Sequence, residues 1–330
     1  MRHARYFGCG MTISLQQIQS AAVRIRHLVR NTPLISDDIL SKHVGMSVRL
    51  KLESMQHTGS FKIRGASNAV ALLTDAEGAR GVATHSSGNH ALALTTAAKL
   101  RSMSCTVVMP KDAPASKRAA VLAAGATIIP CEPTMASREA TLAECVARSG
   151  ATVIPPFDHA DVVCGQGTLG LEIVEAWPDV DVIVAPIGGG GMIGGIAVAS
   201  KGLKPSVAVL AAEPTAVDDA ARSKAFGVRQ PPTNRPTLAD GLRAGIGALT
   251  FPLLQDHVDG VVTVSEERIV HWMRFAFEQL KLVVEPSAAV GIAAIASDEF
   301  RSLAEKAKWK RVALVICGGN VDLDRLPWIG

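Results

Sequence analysis

A lysine in a run of small and apolar residues is the first candidate for covalent chemistry in this 330-residue chain. Lys62 lies in the segment Thr58 to Ala66, which reads TGSFKIRGA. A lysine that is desolvated by such neighbours has a lowered pKa, and its neutral amine is then a nucleophile near neutral pH. Most lysines are solvated surface groups, so Lys62 taken alone is only a candidate.

A run of glycines is the second candidate. Gly188 to Gly191 follow the apolar run VIVAPI and precede the helical segment IAVASK. Glycines let backbone N–H groups close around an anion, and a helix N-terminus adds a favourable dipole. The pattern predicts a phosphate-binding loop. The segment from Gly189 to Gly194 also satisfies G-x-G-x-x-G, with Glu213 downstream, so a dinucleotide-binding Rossmann site is an alternative.

The third candidate is a polar segment, Thr84 to His90, with the sequence THSSGNH. It follows the strand-like run GVAT and precedes a helical pattern, so its hydroxyls, amide and imidazoles lie at a strand's carboxyl end. Open α/β sheets bind ligands at that end. The segment therefore predicts a ligand loop, although a polar helix cap would have the same composition.

The elements that must position these segments alternate along the chain. Hydrophobic residues make up 48% of the sequence and aromatic residues 4%, as in parallel sheets covered by helices. Between the strand-length runs lie Ala- and Leu-rich helical segments. The sequence thus predicts an α/β architecture of roughly two domains. The strand-like runs are 106–110, 126–130, 182–187, 207–214 and 312–319, and two of the helical segments are 90–100 and 117–125, the second stopping at Gly125.

Charge and cysteine content argue against several classes of protein. The formal net charge is +4, and the basic residues are scattered along the chain, so no contiguous basic surface for nucleic acid is expected. The six cysteines form no CxxC pair, which indicates reduced thiols in a cytoplasmic protein. Residues 181–200 are nearly uncharged, but six glycines and a proline favour a strand, a loop and a helix start over a membrane span. No signal peptide is expected from the polar N-terminal residues.

Together, the three candidate segments resemble the signature of fold-type II pyridoxal-phosphate (PLP) enzymes, a family that includes serine/threonine dehydratases (ammonia-lyases) and serine racemases. The resemblance extends from about Ile18 to Leu323 and makes the Rossmann alternative less favoured. It implies a tryptophan synthase β-like fold, with two open, twisted, mostly parallel sheets flanked by helices. It also implies a large PLP-binding domain from residues 1–79 and 159–330, a small domain from 80–158, and a homodimer. The motifs that carry it are Ser60–Ala66, Ser86–His90, Gly188–Met192, EPTAVDD (213–219), VEPSAAVG (284–291) and GGNVDL (318–323).

The resemblance implies a set of cofactor-binding residues. Lys62 would hold PLP as a Schiff base and then move the substrate Cα proton, while Asn89 would hydrogen-bond the 3-hydroxyl oxygen. Cys317 would face the pyridine nitrogen, and a thiol is a weak partner that leaves this nitrogen unprotonated. That makes the ring a milder electron sink and favours prompt elimination. The remaining contacts would be Phe61 beside the ring and a phosphate cup of Gly188, Gly189, Gly190, Gly191 and Met192.

Substrate and metal residues follow from the same resemblance. Ser87 matches the serine that racemases use on the face opposite the lysine, where racemisation needs a second acid/base group. Arg138 matches an arginine near the distal end of the substrate. The α-carboxylate would be held by Ser86, Asn89 and His90. A Mg²⁺ or Ca²⁺ site would be formed by Glu213, Asp219 and the carbonyl of Val217, since hard oxygen ligands suit these ions.

The expected reaction is elimination from a β-hydroxy α-amino acid, L-serine or L-threonine by default, giving a 2-oxo acid and ammonia. The alternatives are 3-hydroxyaspartate, for which Arg138 would clamp the second carboxylate, and serine racemisation. A departure from the racemase pattern bears on this choice, because Ala244-Gly245 stand where a serine hydroxyl is expected. A non-catalytic or NAD-binding Rossmann protein is the alternative from another class. Activation by ATP is not expected, since Asp37-Asp38 place carboxylates where phosphates would bind.

Overall fold

The computed structural model describes residues 13–86, 88–233 and 235–329. The strands are β1 (Leu34–Ser36), β2 (Ser47–Leu52), β3 (Val82–His85), β4 (Cys105–Pro110), β5 (Thr127–Cys131), β6 (Thr152–Val153), β7 (Val182–Pro186), β8 (Ala208–Pro214), β9 (Gly260–Val264) and β10 (Arg311–Ile316). The helices are α1 (Leu15–Ile25), α2 (Asp38–Val44), α3 (Lys62–Ala71), α4 (Asp75–Ala79), α5 (Asn89–Leu100), α6 (Ala115–Ala124), α7 (Met135–Ser149), α8 (Ala160–Ala176), α9 (Gly191–Leu203), α10 (Asp219–Phe226), α11 (Thr250–His257), α12 (Glu266–Phe275), α13 (Pro286–Ile295) and α14 (Asp298–Ala307).

The larger sheet has the strand order β1-β2-β10-β7-β8-β9 and is parallel except for the β1–β2 pair. All five residues of β7 are buried. Such uninterrupted aliphatic strands are expected where helices cover both faces of a parallel sheet. Residues 181–200 are divided between β7, the glycine loop and α9, as predicted. Within the described ranges, no helix combines the length and apolarity needed to cross a membrane.

The smaller sheet has the order β5-β4-β3-β6 and is parallel throughout. All of its strands come from residues 82–153, whereas the larger sheet is built from 34–52 and 182–316. The predicted α/β fold with two mostly parallel sheets is confirmed. The domain limits at 79/80 and 158/159 remain a prediction.

Helix α3 links the two halves of the molecule. Its apolar side packs into the core of the smaller sheet, through Ile63, Ala66 and Val70 against residues that include Val82 and Val107. On its other side, the backbone N–H of Gly65 donates to Gln166 Oε1 of α8 over 3.1 Å. Because Lys62 is the first residue of this helix, its amine lies where the two halves meet.

A buried ion network fixes α3 to the larger sheet. Arg64 is fully buried and donates to both oxygens of Glu53, over 2.8 Å each, and to both oxygens of Glu172, over 2.6 and 2.9 Å. Lys51 adds an ion pair to Glu172 at 2.5 Å, so two cations face two carboxylates. Burial disfavours the Glu53 carboxylate, but Arg64 outweighs it and holds the pKa of Glu53 below its usual range.

Candidate active site

Lys62 is half-buried at the start of α3, and the backbone around it is tied to the end of β10. The N–H of Phe61 donates to the carbonyl of Cys317 over 3.0 Å, and Ser60 forms a β-bridge with Gly318. The Lys62 Nζ donates to the carbonyl of Pro156 over 2.8 Å and lies 4.9 Å from the centroid of the Phe61 ring. Burial lowers the pKa of Lys62 to about 8, against the opposing influence of Cys317 and Glu285. The amine is therefore reactive near neutral pH.

The glycine run forms a cradle between β7 and α9. Gly190 has φ +86°, a conformation that favours glycine. A Cβ on Gly189 would lie 2.3 Å from the Phe157 ring, so a side chain at that position would fill the loop. No described side chain caps α9, and its first N–H groups are left for an anion. The cradle fits the phosphate of PLP, and Met192 is buried behind it.

Cys317 follows β10 and is almost completely buried. Burial raises the pKa of its thiol well above the usual range, and the nearby Glu285 carboxyl adds to this effect. The thiol therefore stays neutral. A neutral thiol is what the predicted role beside the pyridine nitrogen requires, and the contact with the cofactor stays a prediction.

Asn89 lies at the start of α5 and joins a network that the sequence did not predict. Its Nδ2 donates to both carboxylate oxygens of Glu285, over 3.0 and 2.9 Å, and its Oδ1 accepts from Asn320 Nδ2 over 2.8 Å. Glu285 is 4% exposed, and burial raises its pKa to about 7, although the Asn89 amide opposes the shift. Glu285 and Asn320 both belong to motifs noted in the sequence, but no local pattern indicates that either one contacts Asn89, some 200 positions earlier in the chain.

The polar loop before α5 presents backbone donors. Ser86 Oγ accepts from the N–H of Gly88 over 3.3 Å, and α5 begins after Gly88 without a described side-chain cap. The ring of His90 is buried, with Nε2 2.9 Å from the carbonyl of Ile154, and burial, helped by Lys62, lowers its pKa to about 3. The neutral ring must donate through Nε2, so His90 can serve an α-carboxylate through its backbone N–H. Ser87 lies outside the described residues.

Arg138 lies in α7, near the end of β3. Burial lowers the pKa of His85, and the charge of Arg138 lowers it further. Arg138 Nε is buried without a hydrogen-bond partner, and its guanidinium forms no ion pair within residues 13–86, 88–233 and 235–329. A half-buried cation beside the polar loop is thus left available for a ligand carboxylate.

The predicted cation ligands lie apart from Lys62, around the end of β8. Glu213 accepts from the N–H groups of Ala220 and Ala221 over 2.9 Å each, and Asp219 accepts from the N–H of Ile246 over 2.8 Å. Burial raises the pKa of Glu213 to about 8, and the Asp219 charge contributes. Val217 is buried in the turn between them. Two clustered carboxylates suit a hard cation, but the described ranges contain no group of three or more His, Cys, Asp or Glu side chains arranged around a metal position.

Comparison with known proteins identifies the family and the fold. The sequence profile of a family described as pyridoxal-phosphate dependent enzyme matches residues 25–318. A serine racemase from Oryza sativa subsp. indica is 43% identical over 316 residues, covering 95% of this chain and 93% of the relative. A beta-hydroxyaspartate dehydratase from Paracoccus denitrificans is 42% identical, covering 95% and 98%. The structure of maize serine racemase superposes with a TM-score of 0.92 at 42% identity and covers 94% of each chain.

Proposed function

Because the chain belongs to the family of pyridoxal-phosphate dependent enzymes, we propose that it eliminates water from a β-hydroxy α-amino acid whose side chain carries a carboxylate, 3-hydroxyaspartate. The products are a 2-oxo acid and ammonia. The proposal depends on three parts of the site: the amine of Lys62, the N-terminus of α5 and the guanidinium of Arg138.

Lys62 is the base in this proposal. PLP, when bound, withdraws electrons from the substrate Cα and so acidifies its proton. Lys62 Nζ takes that proton, and its pKa of about 8 suits a group that must accept and return protons near neutral pH. The β-hydroxyl leaves as water, and the released enamine hydrolyses to the 2-oxo acid and ammonia. Asn89 and Cys317 would hold the two polar edges of the cofactor ring, and the Gly188–Met192 cradle would hold its phosphate.

The N-terminus of α5 orients the substrate. Its uncapped N–H groups, including those of Asn89 and His90, favour an anion through hydrogen bonds and the helix dipole. The α-carboxylate is the anion common to all candidate substrates. Ser86 at the same loop positions the chain that leads into the helix.

The observation that supports this choice of substrate is the guanidinium of Arg138, whose buried Nε has no hydrogen-bond partner. A half-buried cation with an unsatisfied Nε is a costly arrangement unless a ligand completes it. A second substrate carboxylate would do so, whereas serine and threonine offer only a hydroxyl. Ala244-Gly245, which lack a hydroxyl, agree with a side chain other than that of serine. The dehydratase from Paracoccus denitrificans supports the same choice.

Serine racemisation is the second candidate, favoured by the serine racemases among the relatives. It would use Ser87 as the second acid/base group. The relatives give less support to a serine/threonine dehydratase, which the sequence had suggested as the default.

We also propose that Glu213, Asp219 and the Val217 carbonyl bind Mg²⁺ or Ca²⁺. A cation would offset the burial that disfavours the ionised form of both carboxylates. A homodimer and a cytoplasmic location remain predictions from the family resemblance.

The test is a substrate profile of the purified PLP-loaded enzyme and its Arg138→Ala variant. Loss of a charged hydrogen bond costs about 1.5–3 kcal/mol, so kcat/KM for 3-hydroxyaspartate should fall roughly 10- to 100-fold, with a smaller change for serine. Arg148→Ala, an exposed arginine on the same helix, is the matched control and should change neither. Undiminished hydroxyaspartate turnover in Arg138→Ala would exclude the clamp. Formation of D-serine from L-serine, with no hydroxyaspartate turnover, would favour the racemase.

A further inference from the structure

The side-chain amide of Asn89 is held from both ends. Its carbonyl oxygen accepts a hydrogen bond from Asn320 Nδ2 at 2.8 Å, and its Nδ2 donates to the two oxygens of Glu285 at 3.0 and 2.9 Å. An amide has one accepting side and one donating side. Turning it over would place its oxygen against the Glu285 carboxylate and its N–H groups against those of Asn320.

Asn320 is itself unable to turn over. Its Nδ2 also donates to the carbonyl of Thr58 over 2.8 Å, so the same N–H₂ group serves two carbonyl oxygens. Its own oxygen packs against Gly59, where a Cβ would lie 2.2 Å away. If Asn320 turned over, its side-chain oxygen would face the carbonyl oxygens of Thr58 and Asn89, and no hydrogen bond could form. Its donor side is therefore fixed toward Asn89.

Glu285 is fixed as well. It precedes α13, its backbone N–H donates to the carbonyl of Gly318 over 3.1 Å, and its carboxyl packs so closely that a Cβ on Gly318 would lie 2.6 Å from Oε1. The carboxyl group is buried and forms no ion pair within the described ranges. The donating side of Asn89 is therefore kept on the side of Glu285.

We propose that Asn320 and Glu285 are positioning residues that fix the Asn89 amide with its oxygen on Asn320 and its N–H₂ group on Glu285. One N–H can serve both oxygens of the carboxylate, and the other N–H would then be the donor offered to the 3-oxygen of PLP, where it would favour the deprotonated form. The proposal rests on the proposed use of PLP. A fixed donor stabilises an anionic oxygen and disfavours a hydroxyl, which needs an acceptor for its proton. Since Cys317 is a neutral thiol, it adds no charge beside the pyridine nitrogen. The charge state of the ring would then depend mainly on the residues beside its 3-oxygen.

The test uses two substitutions of Asn320 that differ in polarity and size. Asp has the shape of Asn but presents only oxygens to the Asn89 carbonyl, so it removes the donor that favours the observed orientation and adds a repulsion against it. Ala only removes the donor and leaves Glu285 holding the N–H₂ side. The absorption spectrum of the PLP-loaded protein should shift toward the shorter-wavelength, protonated form in Asn320→Asp, and the Kd for PLP should rise roughly tenfold, the equivalent of about 1.4 kcal/mol. Asn320→Ala should stay closer to the unsubstituted protein in both respects.

Controls separate orientation from structural damage. Asn31→Asp adds the same charge at an exposed asparagine outside the site and should leave the spectrum unchanged. The melting temperature of each variant reports on folding. If Asn320→Asp does not fold, Glu285→Gln provides the second measurement, since it turns one acceptor into a donor facing Asn89 and should move the spectrum in the same direction.

The possible results distinguish this inference from the proposed function. An unsubstituted protein that binds no PLP would remove the proposed function and the inference with it. A PLP-loaded protein whose spectrum and Kd are unaffected in both Asn320→Asp and Glu285→Gln would overturn the inference alone. A larger change in Asn320→Ala than in Asn320→Asp would also overturn it, because loss of packing rather than polarity would then be decisive.

Discussion

At the scale of single residues, the reactivity of Lys62 is produced by burial and restrained by its neighbours. Desolvation penalises the ammonium, while the groups of Cys317 and Glu285 favour it. The result is a pKa of about 8, between those of a solvated and a fully desolvated lysine. Such an amine can be loaded with PLP near neutral pH and can still bind a proton during turnover.

The pKa of Lys62 predicts how cofactor loading depends on pH. Only the neutral amine reacts with an aldehyde, so the loading rate of cofactor-free protein should rise with pH and level off above about 8. The measurement is the appearance of cofactor absorbance after mixing with PLP at a series of pH values. Lysine acetylated on its α-nitrogen, with a side-chain pKa of about 10.4, is the reference amine. If the rate of PLP loading by the protein still rises at pH 10, Lys62 is not desolvated.

At the scale of elements, the start of α9 should tolerate no side chain. Gly190→Ala would put a Cβ into the φ +86° conformation, 2.4 Å from Ile246 Cδ1. We expect the affinity for PLP to fall at least tenfold, measured by equilibrium dialysis. Gly227→Ala is the matched control, since Gly227 has φ +68° but open space around it. It should cost about 1–2 kcal/mol of stability and leave PLP affinity unchanged. Equal losses of PLP affinity in both variants would argue against the cradle.

The ion network around α3 predicts a large effect of a single substitution. Arg64→Met would leave Glu53 and Glu172 without their guanidinium, and breaking a buried pair costs about 3–5 kcal/mol. The midpoint of urea unfolding should fall accordingly. Arg274→Met removes an exposed ion pair to Glu278 and should cost less than about 1 kcal/mol. A small effect of Arg64→Met would mean that the carboxyls find other partners.

The sequence predicted elements better than it predicted contacts. The glycine loop lies between β7 and α9 as expected, and α6 ends at Ala124 with Gly125 as its C-cap. Neither the Arg64–Glu172 pair nor the Glu285–Asn89 pair was predicted, because each joins residues more than 100 positions apart and no local pattern records which partner is chosen. His90 shows the same limit, since its ring contacts Ile154 rather than remaining free for a substrate.

At the scale of the whole molecule, an ion pair joins the two halves across the site. Lys117 of α6 contacts Asp240, which begins a short turn followed by Leu242 of the larger core. Lys117 Nζ also lies 3.9 Å from the position of a Cβ on Gly88, in the polar loop. The pair therefore bridges the two halves beside the polar loop that is proposed to orient the substrate.

This ion pair predicts a modest effect on substrate affinity. Both side chains are partly exposed, so the pair contributes about 0.2–1 kcal/mol, and Lys117→Met should raise KM up to roughly fivefold with kcat unchanged. High salt should remove the difference, because it screens the pair in the unsubstituted enzyme. Exchanging the charges, Lys117→Asp with Asp240→Lys, should recover part of the loss. A change in kcat alone would contradict an effect of the pair on substrate affinity.

The position of β10 in the larger sheet has a consequence for the growing polypeptide. It lies between β2 and β7 although it is synthesised after both, so this sheet stays open at its centre until Ile316 has left the ribosome. All strands of the smaller sheet, from 82–153, are available much earlier. Nascent chains therefore expose the edges of β2 and β7 for most of translation, which is the stage at which chaperones protect unpaired strands. Cys317 and Asn320 emerge only after β10, so the proposed cofactor site would be completed last.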